Sequence, residues 1–277
     1  MRVEVAEYAG VCYGVERALK LAEQAAREGR HVRTLGPLIH NPQAVQALRD
    51  KGVETAACVE EADEGILVIR THGVAPEIID QARDKGLDVV DATCPHVSKA
   101  HEAAEELKRN GYAVVIVGEA DHPEVEGIIA HAGGQAIVVQ SAEELPERLP
   151  SARVGVVVQT TQSLSRLEEV VSALLPRARD LRVFNTICSA TGKRQASAEE
   201  LAESVDVMVV VGGRESGNTR RLAEISRSVN PRTHHVETAD ELQPEWFAGA
   251  DVVGVTAGAS TPHEQMTQVV RAIEAMG

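Results

Sequence analysis

The chain has 277 residues, 43% of them hydrophobic and 25% charged, with a formal net charge of −14 and only 2% aromatic residues. This is globular composition with enough Val, Ala, Leu and Ile for a core, and the length corresponds to about two domains of average size. The acidic balance and the scarcity of aromatic platforms argue against a nucleic-acid binder or a protein that docks on anionic lipid, but leave room for a locally positive pocket that takes a small anion.

The chain opens with "MRVEVAEYAGVCYG", which alternates like a strand over 2–7 and lacks the layout of a signal peptide. A helical pattern, "GVERALKLAEQAAREG", follows. Further strands are predicted at 66–71, 87–92, 112–118, 153–159, 205–213 and 251–258, with weaker ones at 135–140, 181–186 and 233–237. Amphipathic stretches such as "VSKAHEAAEELKRNG" and "TGKRQASAEELAES" lie between them, and Gly follows several helical segments. Continuous apolar strands alternating with helices predict βα units around parallel sheets buried on both faces. No apolar run approaches the roughly 18 residues of a membrane span. Residence in the cytoplasm, with reduced cysteines, is the expectation.

No linker or low-complexity segment divides the chain. Cysteines stand at strand-to-helix corners at 12, 94 and 188, which spaces them at similar intervals. That spacing predicts three α/β units, 1–94, 95–187 and 188–277, with the N-terminal strand open to being shared with the third. Sequence identity between the thirds is not visible.

In a parallel sheet, chemistry collects after the carboxyl ends of the strands. Those positions hold Cys12; His40 and Asn41 in "GPLIHNP"; His72 in "THG"; Cys94 in "DATCP"; His122, Glu124 and Glu126 in "GEADHPEVEG"; Thr160 and Thr161 in "QTT"; Cys188 in "NTICSATGKR"; Ser216 and Asn218 in "GGRESGNTRR"; and Ser260 in "TAGASTP". Taken singly, a cysteine reads as a small core hydrophobe and a histidine as a structural residue. Cys58, in a polar connection, keeps that reading. Together the residues fall at one end of the inferred sheets. Three thiolates with a fourth position open suit Zn²⁺ or a cubane iron–sulfur cluster, and the long spacings do not choose between them. Ser216, Asn218 and Ser260 sit at or just before predicted helix N-termini, which favour an anion. Histidines add donors, and an adjoining phosphate would bias them towards imidazolium. A diphosphate suits this set better than a lone carboxylate. "GGRESGNTRR" lacks the Walker spacing, and Arg214, Arg220 and Arg221 are its nearest cations.

The segments "AGVCYGVERA", "LGPLIHNP", "THGV", "DATCP", "HPEVEG", "QTTQS", "NTIC", "SGNTRRLAE" and "AGASTP" closely resemble, in order and over essentially the whole chain, the 4-hydroxy-3-methylbut-2-enyl diphosphate reductases of the LytB/IspH family. The resemblance implies an α/β trefoil, three α/β units with mainly parallel sheets around a central iron–sulfur cluster. It implies one [4Fe-4S] cluster held by Cys12, Cys94 and Cys188, with one iron not ligated by cysteine. His40, His72 and His122 match the family's diphosphate-binding histidines, and Ser216, Asn218 and Ser260 its hydroxyl and amide ligands. Glu124 matches its proton-delivering acid, and Thr160 the partner near the substrate hydroxyl. Where some members carry a second serine this chain has Gly217, which leaves one diphosphate hydrogen bond to the backbone, and His263 stands where an acidic residue is common. The chain is expected to lack a C-terminal extension found in some members, since it stops soon after the last predicted helix.

The implied reaction converts 4-hydroxy-3-methylbut-2-enyl diphosphate to isopentenyl and dimethylallyl diphosphate, the last step of the methylerythritol phosphate pathway. It needs an external electron donor such as ferredoxin or flavodoxin, and neither nucleic acid nor membrane. Two alternatives share the cysteines. A three-unit dehydratase or condensing enzyme such as quinolinate synthase would act on carboxylates and would want Arg clamps. A metal- or oxygen-sensing regulator would need a basic DNA-binding element.

Overall fold

The computed structural model describes all residues, 1–277. The strands are β1 (Arg2–Val5), β2 (Val32–Leu35), β3 (Val53–Ala56), β4 (Ile66–Ile69), β5 (Asp88–Asp91), β6 (Ala113–Val117), β7 (Ile137–Val139), β8 (Arg153–Val158), β9 (Asp180–Phe184), β10 (Val207–Val211), β11 (Thr233–Val236) and β12 (Val252–Ala257). The helices are α1 (Tyr13–Ala26), α2 (Pro42–Arg49), α3 (Pro76–Asp84), α4 (Pro95–Arg109), α5 (Pro123–His131), α6 (Leu164–Leu174), α7 (Ser189–Ser204), α8 (Gly217–Val229) and α9 (His263–Met276).

The strands form three four-stranded sheets, ordered β3-β2-β4-β5, β7-β6-β8-β9 and β11-β10-β12-β1. Every neighbouring pair is parallel. The three sheets share one winding. The chain places a first strand, adds the second on one side, crosses to the other side for the third, and continues outward to the fourth. In the last sheet the fourth place is taken by the N-terminal strand, with Arg2 opposite Val252 and Val5 opposite Val255.

Residues 1–16, 39–47 and 189–277 form one compact unit, which holds the β11-β10-β12-β1 sheet. Its core has two layers because successive strand residues face opposite ways. Val207, Val209 and Val211 pack with Met266, Val269 and Ile273 of α9. Met208 and Val210 pack on the other face with Ala198 and Ala202 of α7 and Leu222 and Ala223 of α8.

Residues 17–38 and 48–188 form the second unit, with the other two sheets. Val114, Ile116 and Val157 lie under α4 and α5, while Val115, Val117, Val156 and Val158 lie under α6. Leu67 and Ile69 of β4 pack with Ala82 of α3. Gly155 of β8 and Gly254 of β12 stand at corresponding registers, and a methyl on either would collide, with Leu107 of α4 at 2.3 Å or with Met208 at 2.8 Å.

Two strands escape the sequence pattern, β2 ("VRTL") and β3 ("VETA"). Each has four residues and only two large or small apolar side chains, too few for alternation to stand out from a helix-to-loop connection. The segments after β3, β7 and β11 also repeat one motif. Short helical turns begin after Cys58, Ser141 and Thr238. The glutamate three residues on, Glu61, Glu144 or Glu241, accepts the amide proton of the residue before the cap, Ala57, Gln140 or Glu237, at 2.6, 2.8 and 3.1 Å. "ACVEEA", "QSAEEL" and "ETADEL" are thus three copies of one cap. Cys58 is an exposed N-cap residue rather than a core hydrophobe.

Candidate active site

The shared winding creates in each sheet a point where the strand order reverses, between first and third strands. There the outgoing chains separate and leave a crevice at the carboxyl ends. The residues singled out from sequence fall after these strands or after the fourth strand of a sheet.

In the two-sheet unit, Cys94 follows β5 and caps α4, with Pro95 as its first residue. Its amide donates to the Thr71 carbonyl at 3.0 Å, and its own carbonyl accepts from Ser98 N at 2.9 Å. Arg17 Nη1 braces the corner by donating to the Thr93 carbonyl at 3.2 Å. Cys188 follows β9, and its amide donates to the Thr160 carbonyl at 3.0 Å. Thr71 and Thr160 each stand two residues after the third strand of their sheet. The cysteines therefore hang from equivalent points of equivalent windings.

After β6, His122 is the N-cap of α5. Its Nδ1 accepts from the Glu124 amide at 3.1 Å. That bond requires a bare Nδ1, so the proton of the neutral ring sits on Nε2, which can donate to an anion. The rings of His72 and His122 meet edge to face, 5.4 Å apart at 87°. Glu124 is buried, 2% exposed. Its Oε1 accepts from Thr160 N at 2.6 Å and its Oε2 from Thr160 Oγ1 at 2.9 Å. Burial pushes this carboxyl up to about 7, against the two Thr160 hydrogen bonds that favour the charged form. Glu126, one turn-face away, is 61% exposed and lies 3.8 Å from Arg70.

The one-sheet unit repeats the pattern. Cys12 follows β1, and its amide donates to the Ala259 carbonyl at 3.0 Å, again two residues past the third strand. Arg194 Nη2 donates to Gly10 O at 2.9 Å and steadies the approach to the cysteine. Ser260 Oγ donates to the His40 carbonyl at 3.1 Å. Gly213 stands opposite, where a methyl would lie 2.6 Å from the same oxygen. Asn41 caps α2 through Ala44 N at 2.9 Å and donates to Gln265 Oε1 at 3.0 Å. Ser216 caps α8, accepting from Thr219 N at 3.3 Å. Gly217 and Asn218 form the first turn. Asn218 is 3% exposed, and neither atom of its amide has a hydrogen-bond partner in the protein. A buried amide left so is costly unless a ligand completes it. The nearby arginines are turned to other tasks. Arg214 pairs with Glu241, Arg221 with Glu224, and Arg220 donates to the Arg214 carbonyl. His263 begins α9 and contacts Thr267 Oγ1 at 3.2 Å.

Sequence reading missed the supports: the carbonyls of Thr71, Thr160 and Ala259, and Gln159, whose Oε1 accepts from Glu119 N at 3.0 Å. Gln159 in "QTT" could have been marked, since a Gln directly after a buried strand must find partners.

The LytB protein family model matches residues 3–274. The chain belongs to the LytB family. A relative from Geotalea daltonii, a 4-hydroxy-3-methylbut-2-enyl diphosphate reductase, is 49% identical over 276 residues, covering 100% of this chain and 98% of its own. A solved structure of (E)-4-hydroxy-3-methyl-but-2-enyl diphosphate reductase, the terminal enzyme of the non-mevalonate pathway, is 49% identical with a TM-score of 0.73, covering 99% of this chain and 100% of its own. The reductase structure from Plasmodium falciparum, 24% identical, has a TM-score of 0.92 over 98% of this chain and 87% of its own, and establishes likeness of fold. Membership of this family removes the quinolinate synthase and regulator alternatives. No helix is long and apolar enough to cross a membrane.

Proposed function

We propose that the chain reductively removes the allylic hydroxyl of 4-hydroxy-3-methylbut-2-enyl diphosphate. Two electrons and two protons enter, water leaves, and isopentenyl or dimethylallyl diphosphate results. The observation that carries this reading is the buried Glu124–Thr160 pair, an acid tuned near neutrality, in a chain of this family.

Cys12, Cys94 and Cys188 are the proposed ligands of one [4Fe-4S] cluster. The donor set fits: three cysteines outside any disulfide, each on an equivalent hydrogen-bonded corner, match a cubane with one iron lacking cysteine. When bound, the cluster supplies electrons singly and Lewis acidity at that iron. The division 1–94, 95–187 and 188–277 belongs to the same proposal, one cysteine corner per unit.

The side chains do the rest. His40, His72 and His122 donate to the diphosphate, with His122 acting as a neutral Nε2–H donor. The Ser216 and Ser260 hydroxyls, the Gly217 backbone and the Asn218 amide supply further hydrogen bonds at the start of α8 and the end of β12. The orphaned Asn218 amide supports this. Glu124 holds the proton that leaves with the hydroxyl. When Glu124 is protonated, it can donate to Thr160 Oγ1, and the Thr160 hydroxyl proton is then free to turn towards the leaving oxygen. The electrons come from a small carrier such as ferredoxin or flavodoxin, in the cytoplasm.

Anaerobic purification tests this reading. A brown protein with about four irons per chain that consumes the allylic diphosphate with a reductant supports it. A colourless zinc protein, or an iron-loaded protein inert towards that substrate, overturns it.

A further inference from the structure

His101 has no part in the roles above. It lies on α4, seven residues after Cys94, and is buried. A methyl built on Gly73, the residue after His72, would lie 2.5 Å from its Cε1. A methyl built on Gly127, three residues after Glu124, would lie 2.8 Å from its Nε2. Gly73 has φ +71°, so its turn already favours glycine. Gly127 sits inside α5, where glycine is poorer than alanine, and the close approach of the ring is the reason for it. His131, at the last turn of α5, stacks on the same imidazole with centroids 4.1 Å apart and planes at 15°. His131 Nδ1 is in turn 2.6 Å from Glu105 Oε1 of α4.

One side chain thus bears on the turn after His72 and on two turns of the helix that starts with His122 and Glu124. Its Nε2 has no hydrogen-bond partner, and burial pushes the ring down to about 4, so it is neutral. An apolar side chain of similar volume would spare that unpaired nitrogen, so stability alone does not explain an imidazole here.

We propose that His101 is a positioning residue. Its ring sets the spacing between the His72–Gly73 turn and α5, and through it the placement of His72, His122 and Glu124 for the reaction. The proposal rests on the functional reading above.

The test uses anaerobic holoenzyme, with rates per intact cluster. His101→Ala should lower kcat roughly 30-fold, as small misplacements of reacting groups do, with a smaller rise in KM. His101→Gln, whose amide reaches about as far as Nε2, should stay within about fivefold of the parent. Gly127→Ala should impair turnover alone but cost little in the His101→Ala background, where its methyl enters vacated space. Normal kcat in His101→Ala with only a lowered unfolding temperature would mean a structural role and overturn the proposal. So would additive losses in the double variant. Amide exchange of α5 gives a readout independent of substrate: it should quicken in His101→Ala and recover in His101→Gln. If the parent enzyme fails to turn over the allylic diphosphate, the functional reading falls, and unchanged α5 protection would separately dispose of the wedge. If His101→Ala does not fold, the Gln and Gly127→Ala variants decide the matter.

Discussion

Glu124→Gln separates the electrostatics of Glu124 from its shape. The native carboxyl is raised from 4.5 to about 7, chiefly by burial. A native group with a raised pKa holds its proton longer than in the unfolded chain, so stability falls as pH climbs from about 4.5 to about 7 and levels off above. At about 1.4 kcal/mol per pKa unit, the whole window corresponds to about 3 kcal/mol. Of that, about 2 kcal/mol falls between pH 5.5 and 8.5. Glutamine keeps the volume, its oxygen can accept the Thr160 amide and its nitrogen can donate to the Thr160 hydroxyl, and it does not titrate. In anaerobic thermal scans, the variant should therefore gain on the parent as pH rises, by roughly 4–8 °C between those two values. Turnover should move the other way. The variant should keep its iron and bind substrate, yet lose roughly 10²-fold or more in kcat, and the parent's rate should decline above about pH 7 as the acid empties. Parallel stability profiles for the two proteins would refute a native carboxyl titrating near neutrality. Near-normal turnover in the variant would give the proton to another group.

Four further outcomes are expected. Cys12→Ser, Cys94→Ser and Cys188→Ser should each lose most iron and activity, whereas Cys58→Ser should be neutral or slightly stabilising, because serine is the residue at the matching cap of the next sheet; iron analysis decides. Asn218→Ala, His40→Ala and His72→Ala should raise the apparent KM roughly 10- to 150-fold, the loss of one hydrogen bond to a charged group; unchanged substrate affinity would remove them from the diphosphate site. Thr160→Val removes a hydrogen bond that holds the Glu124 carboxyl down, so the alkaline decline in rate should move to higher pH. Air should remove iron and activity together and more slowly with substrate bound; equal rates of loss would show that substrate does not cover the iron.

The strands that stood out most plainly were those with long consecutive apolar runs, such as "AVVIV" and "VMVVV". Both are interior to their sheets, where burial on both faces removes polar residues from the strand, whereas the edge strands β1 and β5 showed only alternation or a pair of valines. β2 is equally central, but Arg33 and Thr34 dilute it, and its four residues end at a glycine turn. Most of the candidate residues were legible because they follow an apolar strand; His40, after the diluted β2, stood out only through its segment "GPLIHNP". Their supports were not legible. The carbonyls of Thr71, Thr160 and Ala259 act through backbone atoms, which leave no mark on residue type. His101 looked like one polar residue on an amphipathic helix, and only the glycines it presses against reveal its place.

Because the three windings are the same, positions correspond across them. The caps of the helices that follow the first strands are Asn41, His122 and Ser216, and each accepts a backbone amide from its own first turn. Two residues beyond the caps stand Gln43, Glu124 and Asn218. A side chain there, at the second position of a helix, meets free amides and the positive end of the dipole. That environment alone would lower the pKa of a carboxylate. Glu124 departs from this because it is buried and meets one neighbouring residue, Thr160, rather than water. Asn218, at the corresponding place, is equally buried but cannot ionise, and its amide is left without a partner. One backbone position thus holds a carboxyl raised towards neutrality in one sheet and a buried neutral amide without a partner in another. The difference is set by side-chain chemistry, since both positions are buried and stand at the same place in the same winding.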